Sequence, residues 1–473
     1  MPFNSLAYLA LLAIIVIVYW VLPTMFRRTF VFLASLAFYA SWNPLFLWVP
    51  LLVAGIVYIV GCQITSEGSG SKSWLWLGVS ALLVLLVFFK YSGFLLGNLP
   101  FSDVRHFSRT EKLAFPIGIS FYTFEAIGYL VDLKQGRVRL PKFVDLVLFF
   151  FFWPNVLSGP IVRARELMPQ LTFSKPFEPR YFFEGLDRLT WGLVQKTAIA
   201  NILGGWVDHG FAATAGNAPT TLDGWGLAIA FGLQIYFDFT GYTNMAIGTA
   251  RLLGLTLPEN FRYPYHAATP PEFWSRWHMT LSRWIRDYLF FPINAKWRGA
   301  PVPLYLSLVG VMGLVGLWHG AGWNFVLWGT MHGMYLALYR IYESSTARWP
   351  ALTKLRIVKS AWRVATLIAV FAAWVVFRAS TTTQAGAMLG SMFVRPRGGS
   401  SYGPEFFLFT GAVALFCAFE PSVFEWLDGV DERHTREGPS PYRVIVRPLA
   451  YLLGLLIFLL FDQMNTQFIY FQF

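Results

Sequence analysis

The stretch Gly316-Leu317-Trp318-His319-Gly320-Ala321-Gly322-Trp323-Asn324 ends an apolar run on a single histidine and follows it with two glycines. A neutral imidazole is the side chain best suited to removing a hydroxyl proton near pH 7. The glycines would let a substrate come close to the backbone. The same pattern also fits a histidine that merely hydrogen-bonds between helices. A second stretch, residues 271–288, sets Glu272, Arg276, Arg283 and Arg286 at helical spacings with Trp274, Trp277 and Trp284 between them. One such helix offers cations to a phosphate-bearing donor and aromatic faces to its base or acyl chain. It equally describes an interfacial helix with an aromatic belt and positive-inside arginines. His278, within it, is a second acid-base group or, by preference, a hydrogen-bonded orienter.

Two further stretches bury polar groups in apolar surroundings. Residues 234–246 carry Asp238 and Asn244. A buried carboxylate needs a partner, most naturally an arginine or a histidine. The pair lines a catalytic chamber or only holds helices together. Residues 116–125 carry Tyr122 and Glu125, where a structural role leads. Asn155, Ser158-Gly159-Pro160 and Arg163 suggest a helix break with a capping serine at the mouth of a funnel. None of the seven histidines forms a close helical pair with an adjacent acid, so no metal site is expected. There is no phosphate-binding loop, kinase motif set or G-x-S-x-G elbow. The two cysteines, Cys62 and Cys417, lie far apart in apolar surroundings and read as small hydrophobes.

The elements that position these groups must lie in a membrane. The chain is 56% hydrophobic and 13% charged, with a mean hydropathy of +0.51. A soluble domain carries about a quarter charged residues. Apolar runs near 5–23, 29–62, 74–97, 114–131, 144–159, 190–206, 224–249, 302–318, 323–341, 362–378, 405–420 and 448–462 predict about ten or more spans of ~20 residues each. The run 29–62 is too long for one span and is interrupted by Pro44. Residues 5–23 read as a retained first span and not as a cleaved signal. Residues 160–300 differ: they are rich in Arg, Trp, Tyr and His, and predict amphipathic and re-entrant helices framing a funnel from the cytoplasm.

The net charge of +12 belongs to loops and not to a nucleic-acid patch. Arg348, Lys354, Arg356, Lys359 and Arg363 place 342–363 in the cytoplasm. Arg433, Arg436, Arg443 and Arg447 do the same for 431–447, whereas 381–404 holds only Arg395 and Arg397. The last span therefore exits outward, carrying residues 464–473 as an extracytoplasmic aromatic tail. Arg27 and Arg28 then mark an inward first loop and an outward N-terminus.

The ordered segments FPIGISFYTFEAIGYLVD, SGPIVRARELMPQ, QIYFDFTGYTNMAIG, LPENFRYPYHAATPPEFWSRWHMTLSRWIRDYLFFPI and GLWHGAGWNFVLWGTMHG resemble the membrane-bound O-acyltransferase (MBOAT) family, in its alginate O-acetyltransferase, AlgI-like subgroup. The motifs run from about 110 to 340, and MPFNSLAYL and FIYFQF extend the likeness to both ends. The resemblance implies an all-α integral membrane protein with the MBOAT fold, a ring of about 11–14 transmembrane and re-entrant helices around a central catalytic tunnel. It implies a single polytopic domain over 1–473 with a 110–340 core. It makes His319 the essential histidine and gives His278 the second polar position. Candidate chamber-lining residues are Asp238, Asn244, Trp318, Tyr122 and Glu125. Candidate donor-binding residues are Arg276, Arg283, Arg286 and Trp277.

The family's donor is an acyl thioester, here acetyl-CoA from the cytoplasm, with no bound cofactor. Relatives act on alginate, peptidoglycan, cellulose or, with D-alanine, teichoic acid, in the bacterial inner membrane and with an extracytoplasmic acetyltransferase-like partner. The tail is similar to the aromatic end of the partner peptide of teichoic-acid D-alanylation, which implies Tyr470 as an acyl carrier; the other reading makes Tyr470 an interfacial anchor. The expected activity is O-acetylation of an envelope or secreted polysaccharide, alginate-like by first choice. A transporter or flippase for a lipid-linked substrate is the reading from another class, and the lack of an inverted repeat counts against it.

Overall fold

Ser5 opens the first helix, its hydroxyl accepting the Tyr8 N–H at 3.2 Å, which satisfies one of the donors a helix start leaves open. Leu6–Val21 follows and stops at Leu22-Pro23, because a proline disfavours helical geometry in the residue before it. The computed structural model describes residues 1–66, 71–98, 116–157, 159–214, 218–295, 300–353, 355–394, 398–435, 445–461 and 469. Among these there is no strand. Five helices are long and apolar enough to cross a membrane: Pro44–Ser66, Ser71–Gly97, Val302–His319, Arg356–Arg378 and Pro404–Trp426. Leu6–Val21 and Arg447–Phe461 are apolar but shorter. The chain is an all-α, multi-pass membrane protein. Ser158, Lys296, Arg298, Lys354, Arg395, Arg397, Arg436, Arg443 and Tyr470 lie outside the described residues.

The chain divides into two compact units, 1–189 with 242–259 and 190–241 with 260–473. In the first, the long apolar run 29–62 is two helices, Thr24–Ala40 and Trp48–Ser66, parted where the Asn43 side chain accepts the Leu45 N–H at 3.0 Å. Ile119–Lys134 is the interior helix, buried along nearly all its length. It begins at Gly118 (φ +77°), where a side-chain carbon would fall on the Val156 carbonyl oxygen.

The run 144–159 does not form a span. Phe143–Phe151 has nine residues and Trp153–Val156 four, against the ~20 a crossing needs, because the chain leaves the helix at Phe152 just ahead of Pro154. From Leu146 to Trp153 its apolar side chains are buried in the interior of the unit. Arg27, expected to mark a loop, is buried; its guanidinium donates to the Leu22 and Lys175 carbonyls, each at 3.0 Å.

The second unit is organised by an antiparallel hairpin of Pro301–His319 and Trp323–Thr346, joined by Gly320-Ala321-Gly322. Its helices meet backbone to backbone. A side-chain carbon at Gly316 would fall on the Phe325 carbonyl oxygen, and one at Gly329 on that of Met312; at Gly333 it would lie 2.6 Å from Val309 Cα. Arg356–Arg378 packs on Trp323–Thr346, and Arg447–Phe461 packs on the turn Gln195–Ala200.

That turn is π-helical, a form often found at functional sites. It carries Lys196, whose Nζ lies 2.5 Å from Asp238 Oδ1, each side chain 2% exposed. The expected partner of Asp238, an arginine or histidine, is therefore a lysine. Gly241 permits the approach, since a side-chain carbon there would sit 3.0 Å from the Lys196 nitrogen. The expected helix over 271–288 is broken into Pro270–Arg276 and Met279–Ile285, followed by a π turn at Arg286–Phe290. Its charged residues do not share one helix face.

Two outcomes follow. Alanine normally stabilises a helix relative to glycine by about 1 kcal/mol, but Gly329→Ala should lower the melting temperature of the purified protein, because overpacking costs about 1–3 kcal/mol. Gly310→Ala, on the same hairpin with open space around it, should not. Lys196→Met should destabilise by about 3–5 kcal/mol through the abandoned carboxylate. Combining it with Asp238→Asn should restore most of the loss, read as thermal unfolding of both variants.

Candidate active site

His319 is the last residue of Pro301–His319 and sits at the tip of the hairpin, buried, at a helix C-terminus that favours a positive charge. Aromatic rings enclose it. Trp318 lies 4.9 Å away between centroids, Trp328 5.1 Å, edge-on at 89°, and Phe377 5.6 Å. The turn after it is fixed by Asn324, whose amide donates to the Ala379 carbonyl at 3.1 Å. The two glycines of the turn are closely packed: a side-chain carbon at Gly320 would fall on the Phe325 ring, and one at Gly322 would lie 2.6 Å from Asn324 Oδ1. They are needed for packing.

His278 lies on the other side of Trp318, at 6.3 Å between centroids. It occupies the break between the two seven-residue helices, with φ +41° and ψ 54°, a backbone region that non-glycine residues seldom enter. The side chain is fully buried. Burial pushes its imidazole down to about 3, so it is neutral at physiological pH. Phe239 meets it edge-on at 4.7 Å, and its Nδ1 lies 3.1 Å from Asn260 Oδ1. Trp318, His278 and His319 thus form one cluster inside the second unit.

Asp238, adjacent in sequence to Phe239, accepts the backbone N–H of Ile469 on Oδ2 at 2.8 Å, and Ile469 is buried. Tyr470 is the next residue and lies outside those described. Trp277 is buried and stacked on Phe273 at 5.6 Å. Arg276 pairs with Glu272 at 2.8 Å. Arg283 donates to the Met279 carbonyl at 3.3 Å. Arg286 is exposed and meets Asp287 at 2.9 Å.

The remaining candidates belong to the first unit. Tyr122 is buried. Glu125 accepts from Asn155 Nδ2 at 2.7 Å and from the Val162 N–H at 3.1 Å. Asn244 accepts from Arg188 at 2.7 Å. Three residues that sequence reasoning passed over take part in the second unit. Lys196 neutralises Asp238, and the polar pair Gln195-Lys196 inside an apolar run was its signal. Asn260 holds His278. His332 lies one turn from Trp328, with rings 4.9 Å apart, a spacing visible in Trp328-x-x-x-His332.

Residues 108–381 match the family described as MBOAT, membrane-bound O-acyltransferase family. The chain is 37% identical over 402 residues to a probable alginate O-acetylase AlgI of Azotobacter vinelandii, covering 83% of this chain and 78% of the relative. It is 36% identical over 399 residues to a peptidoglycan O-acetyltransferase of Helicobacter pylori, covering 78% and 74%. With a teichoic acid D-alanyltransferase of Streptococcus thermophilus it shares 27% identity over 249 residues, covering 48% and 58%. An acyltransferase family over more than half the chain removes the transporter reading. The chain belongs to the membrane-bound O-acyltransferase family and is an O-acyltransferase.

Proposed function

We propose that this protein takes acetyl from cytoplasmic acetyl-CoA and delivers it across the bacterial inner membrane for O-acetylation of an alginate-like polysaccharide. The observation that carries the reading is the buried cluster of His319, Trp318 and His278 in a chain 37% identical to an alginate O-acetylase. Similarity to a peptidoglycan O-acetyltransferase at 36% favours peptidoglycan as the second acceptor. Arg286, exposed at the end of the broken segment, is the arginine best placed to meet the phosphates of the donor.

Tyr470 is the acyl carrier in this reading, and the burial of its neighbour Ile469 against Asp238 supports it. His319 takes the phenolic proton. The phenolate oxygen attacks the thioester carbon, the C–S bond breaks, and the thiolate leaves with the proton from the imidazolium. The resulting aryl acetate is a reactive ester. An extracytoplasmic acetyltransferase-like partner then moves the acetyl group to a sugar hydroxyl, which restores the phenol.

His319→Ala should abolish thiol release from acetyl-CoA by the purified protein, with unchanged membrane levels; retained turnover would defeat the assignment. Tyr470→Phe should leave the polymer without acetyl esters while the protein stays folded. Full polymer acetylation by Tyr470→Phe would remove the carrier step and leave the role of His319 standing.

A further inference from the structure

Asn260 is fully buried and forms a clamp around the broken segment. Its backbone carbonyl accepts the Met279 N–H at 2.8 Å. Its side-chain oxygen accepts the Thr280 N–H at 3.2 Å and the Thr280 hydroxyl at 2.9 Å, and faces His278 Nδ1 at 3.1 Å. Two residues on, the Arg262 N–H donates to the Arg276 carbonyl at 2.9 Å. These bonds bracket His278 and hold it in its left-handed conformation.

The bond from a backbone N–H decides the chemistry. A peptide N–H can only donate, so the Asn260 atom facing Thr280 is oxygen and not the amide nitrogen. An amide oxygen can only accept, so His278 Nδ1 must carry the proton. The neutral imidazole then has its lone pair on Nε2. The rings packed against it, Phe239, Phe261 and Trp318, carry no charge. The acids nearest in sequence, Glu272 and Asp287, are paired with Arg276 and Arg286, and Asp238, beside Phe239, is paired with Lys196.

We infer that Asn260 is a positioning residue that locks His278 in the Nδ1–H tautomer and makes its Nε2 a hydrogen-bond acceptor for the attacking hydroxyl in acyl transfer. His278 thereby orients the hydroxyl whose proton goes to His319, and it donates nothing to the thioester. The inference rests on the acyl-transfer reading of the same cluster.

Asn260→Asp keeps the shape and the Thr280 bonds but places a carboxylate against Nδ1. It should hold His278 as imidazolium, converting Nε2 from acceptor to donor. With the full-length protein in bilayers, kcat for acetyl-CoA turnover should fall about a hundredfold at neutral pH with KM unchanged, and should recover as rising pH deprotonates the imidazolium. Nitrogen-15 spectra of histidine-labelled protein, with the His278 signal identified by its loss in His278→Gln, should show one protonated nitrogen in the native protein and two in Asn260→Asp. A native spectrum with the proton on Nε2, or an Asn260→Asp variant with the native pH profile and kcat, would overturn the inference. The expected tautomer in a protein that does not cleave acetyl-CoA would instead count against the acyl-transfer reading alone.

Discussion

The backbone contact between Pro301–His319 and Trp323–Thr346 is the constraint from which the buried histidine cluster follows. Gly316 against the Phe325 carbonyl and Gly329 against that of Met312 bring two helices closer than any side chain allows. Between helices in lipid there is little hydrophobic drive to associate, so close packing has to supply the attraction. Once the helices touch, the short turn between them has few conformations available, and His319 at its start is fixed. Trp328, one residue before Gly329, is then held edge-on to the His319 ring. Phe377 closes the remaining side, itself edge-on to Trp328 at 5.1 Å. In the proposed role of His319 as base, a ring held this way needs little reorganisation when the proton moves, which is where preorganised sites gain their rate.

A second constraint acts on every charge in the interior. Unsatisfied polar groups are costly where water is absent, and in each unit several buried charged side chains have a partner. Asp238 has Lys196, Glu125 has an amide and a backbone N–H, and Arg27 has carbonyls. Glu420, on an apolar helix, receives the Tyr236 hydroxyl at 2.9 Å. The cluster of His319, Trp318 and His278 is built of imidazole and indole rings. That suits a reaction that shuttles a proton without net charge transfer.

The sequence disclosed what depends on residue type along the chain and concealed what depends on where the chain bends. His319, Trp318 and His278 were legible because their motifs are long and ordered, and Pro44 visibly divides the run 29–62. The crossing expected at 144–159 failed because hydropathy does not distinguish a helix facing lipid from Phe-rich turns packed inside protein. The single helix expected over 271–288 failed for a subtler reason. Helical spacing of its charges was real, but the three-way acceptance by Asn260, which lies upstream of the segment, stabilises a left-handed residue that no local propensity favours. Lys196 was missed because a lysine in an apolar run carries no mark of its partner 42 positions away.

Asp238 joins these strands of argument. One of its oxygens meets Lys196 and the other receives the Ile469 N–H, so Ile469 is held by a carboxylate whose charge is already balanced. In the proposed reaction a lone carboxylate here would oppose the negative charge that builds on a thioester oxygen as it is attacked. Pairing with Lys196 would remove that opposition while leaving an oxygen lone pair for the Ile469 N–H. Phe239, the next residue, carries the same helix onto His278. A single turn of Thr221–Leu252 therefore holds Ile469 through Asp238 and packs Phe239 against His278, and the π turn that delivers Lys196 balances the carboxylate between them.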